Sequence, residues 1–199
     1  MELDLGDLEM TDPLDKEYND MKIVLHVCCA PCATVAIEEL NKDYEVVLFF
    51  SNPCIAPIEE YEKRLEEVRK LADIYHIELV EGDYDHEDFL ELIQGHESDK
   101  EGEERCRICI EDRLFRAAAY AKAAGIPRFT TSLTVSPHKN SKLIQRLGQE
   151  AAAAFKIEFI EKDFKKDDGF NKSVALSKEH RIYRQDYCGC EFSARKKDQ

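Results

Sequence analysis

The sequence predicts an α/β fold: an open, mostly parallel sheet with helices on both faces, Rossmann-like and three-layered, with a metal site at the carboxyl-terminal edge of the strands. Three observations predict it. Five apolar, β-rich runs alternate with amphipathic segments, the reactive residues gather in the loops after those runs, and 43% hydrophobic content over 199 residues suffices for one domain with a real core.

In chain order the strand runs are KIVLHV from Lys22, EVVLFF from Glu45, HIELVEG from His76, RFTTSLTV from Arg128 and KIEFIE from Lys156. Strands separated by helical patterns imply βαβ units and parallel pairing. The segment PIEEYEKRLEEVRKLADIYH repeats Tyr61, Leu65, Val68, Ala72 and Tyr75 at spacings of four and three, so it is helical, and its charge run reads as a solvated face. A second helix, LFRAAAYAKAAG, stops at Gly125 with Pro127 beyond. A third, NSKLIQRLGQEAAAAF, starts from a cap at Asn140 or Ser141. The first 20 residues carry eight acidic side chains and one Lys, which predicts a flexible acidic leader (1–20) ahead of a single α/β metalloenzyme domain (21–199).

Composition excludes several classes. No run approaches 18 consecutive apolar residues and no basic region leads into an apolar one, so neither a membrane span nor an export signal is expected and the location is cytoplasmic. A net charge of −14 argues against a broad nucleic-acid surface, although from Glu161 onward ten Lys or Arg face eight Asp or Glu, which leaves room for a local basic patch. Neither GxGxxG nor GxxxxGK occurs, so no nucleotide cradle is visible.

Eight cysteines in a chain without an export signal point to metal binding or redox catalysis rather than structural disulfides. CCAPC supplies Cys28, Cys29 and Cys32; ERCRIC supplies Cys106 and Cys109, whose spacing at a helix start puts both sulfurs on one face. Two such sets far apart signal a four-thiolate zinc or an iron–sulfur cluster. Contiguous Cys28 and Cys29 suit the separate corners of a cluster better than one tetrahedral ion; zinc and inert buried thiols stay as alternatives. In YCGC, Cys188 and Cys190 flank one glycine and would close a small, strained ring on oxidation, as a redox-active dithiol does, the alternative being a second pair of ligands. Cys54 in SNPCIAP is left unassigned, a small buried hydrophobe or a thiol facing the site. Among other polar residues, His26 reads as a satisfied core histidine. Asp83 could reach a metal at the sheet edge or merely serve a turn. Ser136, His138 and Lys139 could bind a phosphate or cap the next helix.

LHVCCAPC, FFSNPCIAPIEEYEKR, RCRIC with EDRL beyond it, FTTSLTVSPHKN, DDGF and IYRQDYCGCEFS, in this order from Met21 to Ser193, resemble the epoxyqueuosine reductases of the QueH type. The resemblance implies reduction of the epoxide of epoxyqueuosine, at the wobble position of certain tRNAs, to queuosine. It implies a 4Fe-4S cluster on Cys28, Cys29, Cys106 and Cys109, and a redox-active pair at Cys188 and Cys190. It also implies an additional mononuclear iron bound by cysteine and aspartate, which position alone assigns to Cys32 and Asp83. The implied partners are a tRNA carrying epoxyqueuosine and an unidentified electron donor. One departure stands out: where the family usually has a FYNPNIHP-like stretch, Cys54 replaces Asn and Ala56 replaces His. Tyr183, Arg184, Tyr187, Phe192 and Arg195, or a strip of Lys139, Lys142 and Arg146, offer the aromatic and cationic mixture an anticodon loop needs, unless the aromatics simply pack the last helix. Two rival readings are a non-catalytic zinc- or cluster-binding redox-sensing module and a metal-free thiol–disulfide oxidoreductase using CAPC. The second leaves Cys28, Cys106 and Cys109 without a role.

Overall fold

The computed structural model describes residues 19–193; residues 1–18 of the expected leader, and Arg195, lie outside them. Five parallel strands form one sheet: β1 (Lys22–His26), β2 (Glu45–Phe50), β3 (Glu78–Glu81), β4 (Arg128–Thr131) and β5 (Glu158–Phe159), in the order β3-β2-β1-β4-β5. The chain winds outward from β1 to β3, then returns to pair β4 on the other side of β1. The expected open α/β fold is therefore present, and its topological switch point lies between β1 and β4.

Both faces of the central strands are buried, which explains why β1 and β2 read as continuous apolar runs. Ile23 and Leu25 of β1, with Val46, Leu48 and Phe50 of β2, meet helices α1 (Ala30–Leu40) and α2 (Ile58–Tyr75). The alternate residues Val24, Val47, Phe49 and Phe129 meet α4 (Glu104–Ala123) and α5 (Ser141–Phe155) on the opposite face. Short α3 (His86–Leu92) adds Phe89 to the first face, and α6 (Gly169–Glu179) lies against α1. Among the described residues, no helix is long and apolar enough to cross a membrane.

Local chemistry sets the boundaries. Pro31 opens α1, where its missing N–H costs nothing, and Glu59 and Glu60 occupy the positive end of α2. Asn140 is the cap of α5, its side chain accepting from the Leu143 N–H at 3.2 Å. Gly148 lets α5 approach β5 closely: a Cβ there would stand 2.5 Å from the Phe159 ring.

Three runs differ from the sequence reading. RFTTSLTV is a strand only to Thr131; Ser132–Val135 tightens into a 3-10 turn whose Leu133 N–H donates to the Thr131 hydroxyl at 3.2 Å. KIEFIE keeps two ladder residues, because β5 is an edge strand whose one neighbour is the four-residue β4. Helix α4 starts at Glu104, well before the Leu114 at which LFRAAAYAKAAG opens, so the helix read there and the RCRIC turn are one element.

Candidate functional site

At the switch point, His26 ends β1 with no exposed surface, Nδ1 2.9 Å from the Thr131 hydroxyl and Nε2 3.4 Å from the Ser51 carbonyl. Burial, then the nearby Arg113 charge, lowers its pKa to about 4, so it is a neutral, satisfied core histidine joining β1 to β4. Two residues later the chain reaches Cys28, and Cys29 is the extended residue from which α1 begins. Strand end and helix start thus sit back to back, which is how adjacent cysteines come to share one site. Sγ of Cys28 lies 3.8 Å from Sγ of Cys29, and the sulfurs of Cys28, Cys29 and Cys32 all fall within 4.8 Å of one another. Hydrogen bonds from Cys29, then Cys32, hold the Cys28 thiol well below its ordinary pKa, while sharing with Cys28 pushes Cys29 up to about 12 and raises Cys32. The group thus stabilises one thiolate across three sulfurs.

These three thiols line a cavity of about 370 Å³ together with Lys139 and Cys188. A second, small cavity of about 20 Å³ is lined by Cys54, Cys106, Cys109 and Cys190, and again by Lys139 and Cys188. All eight cysteines, each a free thiol, therefore line one of two cavities that share a wall. The four sulfurs expected to ligate a cluster are divided between them, Cys28 and Cys29 on one side, Cys106 and Cys109 on the other. Cys54 sits beside Cys109, whose hydrogen bond lowers the Cys54 pKa and raises its own. Asp83 is exposed after β3, two strands or about 10 Å from β1, and does not join the group of Cys32.

Two cations face the thiols. Arg113 of α4 is 4% exposed, its Nε donating to the Cys109 carbonyl at 3.0 Å. Burial works against its charge, but Cys109, Cys54, Cys28 and Cys188 outweigh it and raise its pKa. Lys139 Nζ lies 3.2 Å from Cys188 Sγ; burial again opposes its charge and is overcome, Cys188 acting most strongly. Among the described residues neither cation forms an ion pair with a carboxylate, so their counter-charge comes from sulfur. Lys139 is half-buried and turned to Cys188, with Ser136 and His138 beside it in the lining of the large cavity, whereas Lys142 and Arg146 are exposed.

The YCGC segment is strapped to α2 and to the SNPCIAP loop. Arg64, 2% exposed and paired with Glu60 at 2.7 Å, donates to the carbonyls of Cys188 at 2.9 Å and Tyr187 at 3.2 Å. The Tyr187 hydroxyl donates to the Ala56 carbonyl at 2.8 Å, and the Ala56 N–H to the Gly189 carbonyl at 2.9 Å. Gly189 has φ 135°, and a Cβ there would stand 2.9 Å from Arg64 Nη1 and 3.1 Å from Ile55 Cγ1. Gly189→Ala is therefore expected to displace the strap and lower the melting temperature by a few degrees, read by thermal melt.

The nearby aromatics are largely committed to the fold. The Tyr183 hydroxyl meets Glu60 at 3.3 Å with Lys63 Nζ 3.4 Å from its ring centroid, and Phe192 lies 5.0 Å from the Arg105 guanidinium. They pack against α2 and the start of α4, not the last helix. Sequence reasoning missed Arg64 and Arg113, yet a signal existed. Each lies three residues after one apolar residue and four before another on its helix, Tyr61 and Val68 for the first, Ile110 and Ala117 for the second, so each occupies the inward stripe.

The sequence matches the family described as epoxyqueuosine reductase QueH over residues 23–196. It is 34% identical over 193 residues to the epoxyqueuosine reductase QueH of Streptococcus pyogenes serotype M1, covering 94% of this chain and 76% of that one. Over 174 residues it is 38% identical to the Thermotoga maritima protein of the same name, covering 86% and 89%. The corresponding Acinetobacter baylyi protein is 36% identical over 181 residues, covering 89% and 82%.

Proposed function

Because the chain belongs to the QueH family of epoxyqueuosine reductases, we propose that it is an oxidoreductase that removes the epoxide oxygen of epoxyqueuosine in tRNA, in the cytoplasm, using an iron–sulfur cluster and the Cys188–Cys190 pair. The observation that carries this reading is the convergence of eight thiols on two cations, buried Arg113 and half-buried Lys139, that lack carboxylate partners among the described residues. Soft thiolate donors suit an iron–sulfur cluster, and a cluster bearing thiolates is a net anion that Arg113 and Lys139 would neutralise. Cys28, Cys29, Cys106 and Cys109 would hold it. Cys32 with Asp83 remains the expected pair for an additional iron, and in the present arrangement only Cys32 stands among the sulfurs. When bound, these groups would supply one-electron transfer and Lewis-acid stabilisation of the departing oxygen.

The chain's own residues account for the two-electron balance. Cys188 lines both cavities and Cys190 only the smaller one, so Cys188 is the thiol that meets substrate and Cys190 the one that resolves it. Both epoxide C–O bonds break, the carbon–carbon double bond forms, an S–S bond joins Cys188 to Cys190, and the oxygen leaves as water with the two thiol protons. An external reductant of the disulfide-reducing class then restores the dithiol. The Lys139 ammonium, 3.2 Å from Cys188, keeps a positive charge where sulfur and oxygen both become more anionic.

The test is iron, acid-labile sulfide and zinc per chain in anaerobically purified protein, together with an assay on epoxyqueuosine-containing tRNA. About four irons with matching sulfide, a dithionite-bleachable band and queuosine formation are expected. Zinc alone, with no iron uptake on anaerobic reconstitution, would replace this reading with a structural zinc module.

A further inference from the structure

Disulfide closure across Cys-Gly-Cys makes a small ring that contains two peptide units, Cys188–Gly189 and Gly189–Cys190. Both are anchored from outside that ring. Arg64 Nη1 donates to the Cys188 carbonyl at 2.9 Å, and the Ala56 N–H donates to the Gly189 carbonyl at 2.9 Å. Arg64 adds a second grip one residue earlier, Nη2 donating to the Tyr187 carbonyl at 3.2 Å, with its guanidinium 5.1 Å from the Tyr187 ring centroid. Its own orientation is fixed by burial and by Glu60, whose carboxylate accepts from Nε at 2.7 Å. The two sulfurs have different partners: Cys188 Sγ faces Lys139 Nζ at 3.2 Å, and Cys190 Sγ donates to the Ser193 hydroxyl at 3.4 Å. Both cysteines are free thiols, so these contacts belong to the dithiol form.

We propose that Arg64 is a positioning residue that grips the Cys188–Gly189 peptide in its dithiol geometry, so that the Cys188–Cys190 disulfide forms against that grip and is easier to reduce. An S–S bond draws both sulfurs off their partners, and the torsions of the closed ring turn the Cys188 carbonyl away from a guanidinium that Glu60 holds in place. A charged donor is then left short of an acceptor in a buried place, which is unfavourable and weights the equilibrium toward the dithiol. The proposal rests on the redox-pair reading above and adds what sets the poise of that pair. Reloading is a two-electron exchange: two thiols of the reductant give up two electrons and two protons and join as a disulfide, while the Cys188–Cys190 bond opens. Arg64 assists that half of the cycle, because the carbonyls return to it as the ring opens.

The test equilibrates anaerobically purified full-length protein in buffers of reduced and oxidised glutathione, followed by acid quench, alkylation and tryptic digestion. Cleavage after Arg184 and Arg195 separates Cys188 and Cys190 from the other six cysteines, so the mass of the peptide Gln185–Arg195 reports this pair alone. In a buffer that holds wild type half oxidised, Arg64→Gln is expected to lower the dithiol-to-disulfide ratio about tenfold, equivalent to about 30 mV. Arg64→Lys, which keeps the charge and can reach one carbonyl but not two, should lower it only about threefold. Melting temperatures are taken alongside: a residue that only packs the fold would lower them and leave the ratio unmoved. An unchanged or raised ratio in Arg64→Gln overturns the proposal and leaves the redox pair standing, and if that variant does not fold, the same result in Arg64→Lys does so. If wild type yields only the doubly alkylated peptide across the whole buffer range, the redox-pair reading fails and takes the proposal with it.

Discussion

Cys188→Ser is expected to lower conversion of epoxyqueuosine-containing tRNA by about 10³-fold or more while iron and sulfide per chain stay at the wild-type level. A serine hydroxyl preserves the size of the group and its reach to Lys139 but cannot close an S–S bond, so the two electrons have no source in the chain. Cys190→Ser should be equally inactive for a different reason: Cys188 keeps its thiol yet lacks its partner, and on addition of a small disulfide it should accumulate as the mixed disulfide formed by exchange with release of one small thiol, visible by mass spectrometry. The two cysteines line the shared wall and the smaller cavity, respectively. If iron fell in step with activity in either variant, YCGC would be a ligand pair and the division between cluster and dithiol would be wrong.

Arg113→Met should have opposite effects on the apo and loaded forms. In the apo protein, a buried cation without a carboxylate partner is replaced by an apolar side chain of similar length, which is neutral or stabilising, by about 1–4 kcal/mol at most. Urea unfolding of the metal-free protein should therefore show an unchanged or higher midpoint. In the loaded protein the same change removes the charge facing Cys109, Cys54, Cys28 and Cys188, and the visible band should bleach several-fold faster under a chelator. A variant that destabilises both forms equally would mark Arg113 as a packing residue with no electrostatic part in the site.

How far the sequence revealed this arrangement depended on what each residue touches. β1 and β2 were legible because both faces are apolar, and α2 because its stripe is regular. The end of β4 was not: SLTV is as apolar and buried as a strand, but the Thr131 side chain captures the Leu133 N–H and turns the chain. Helix α1 lay behind its cysteines, although Pro31 at its first turn was a start signal. In the site, the cysteine motifs announced themselves by spacing. The convergence of the sets did not, since which loops meet is decided by the strand order around β1. Lys139 read as a surface cation because nothing local shows that its ammonium turns inward to a thiol of a distant segment. Arg64 and Arg113 were hidden in charge runs, although each occupies the inward stripe of its helix.

The strap that holds YCGC joins partners 124 residues apart, Arg64 and Cys188. A nascent chain can form β1, α1, β2 and α2, and bury most of the first core face, long before the ribosome has made the segment Arg64 will hold. Until then the Arg64 guanidinium has Glu60 but no carbonyl to receive it, and the cavity wall carrying Cys188 does not exist. Closure of the thiol site is therefore a late step, governed by long-range docking rather than local propensity. On the cluster reading proposed above, iron delivered earlier would meet only the first set of sulfurs, and productive loading would belong to the finished chain.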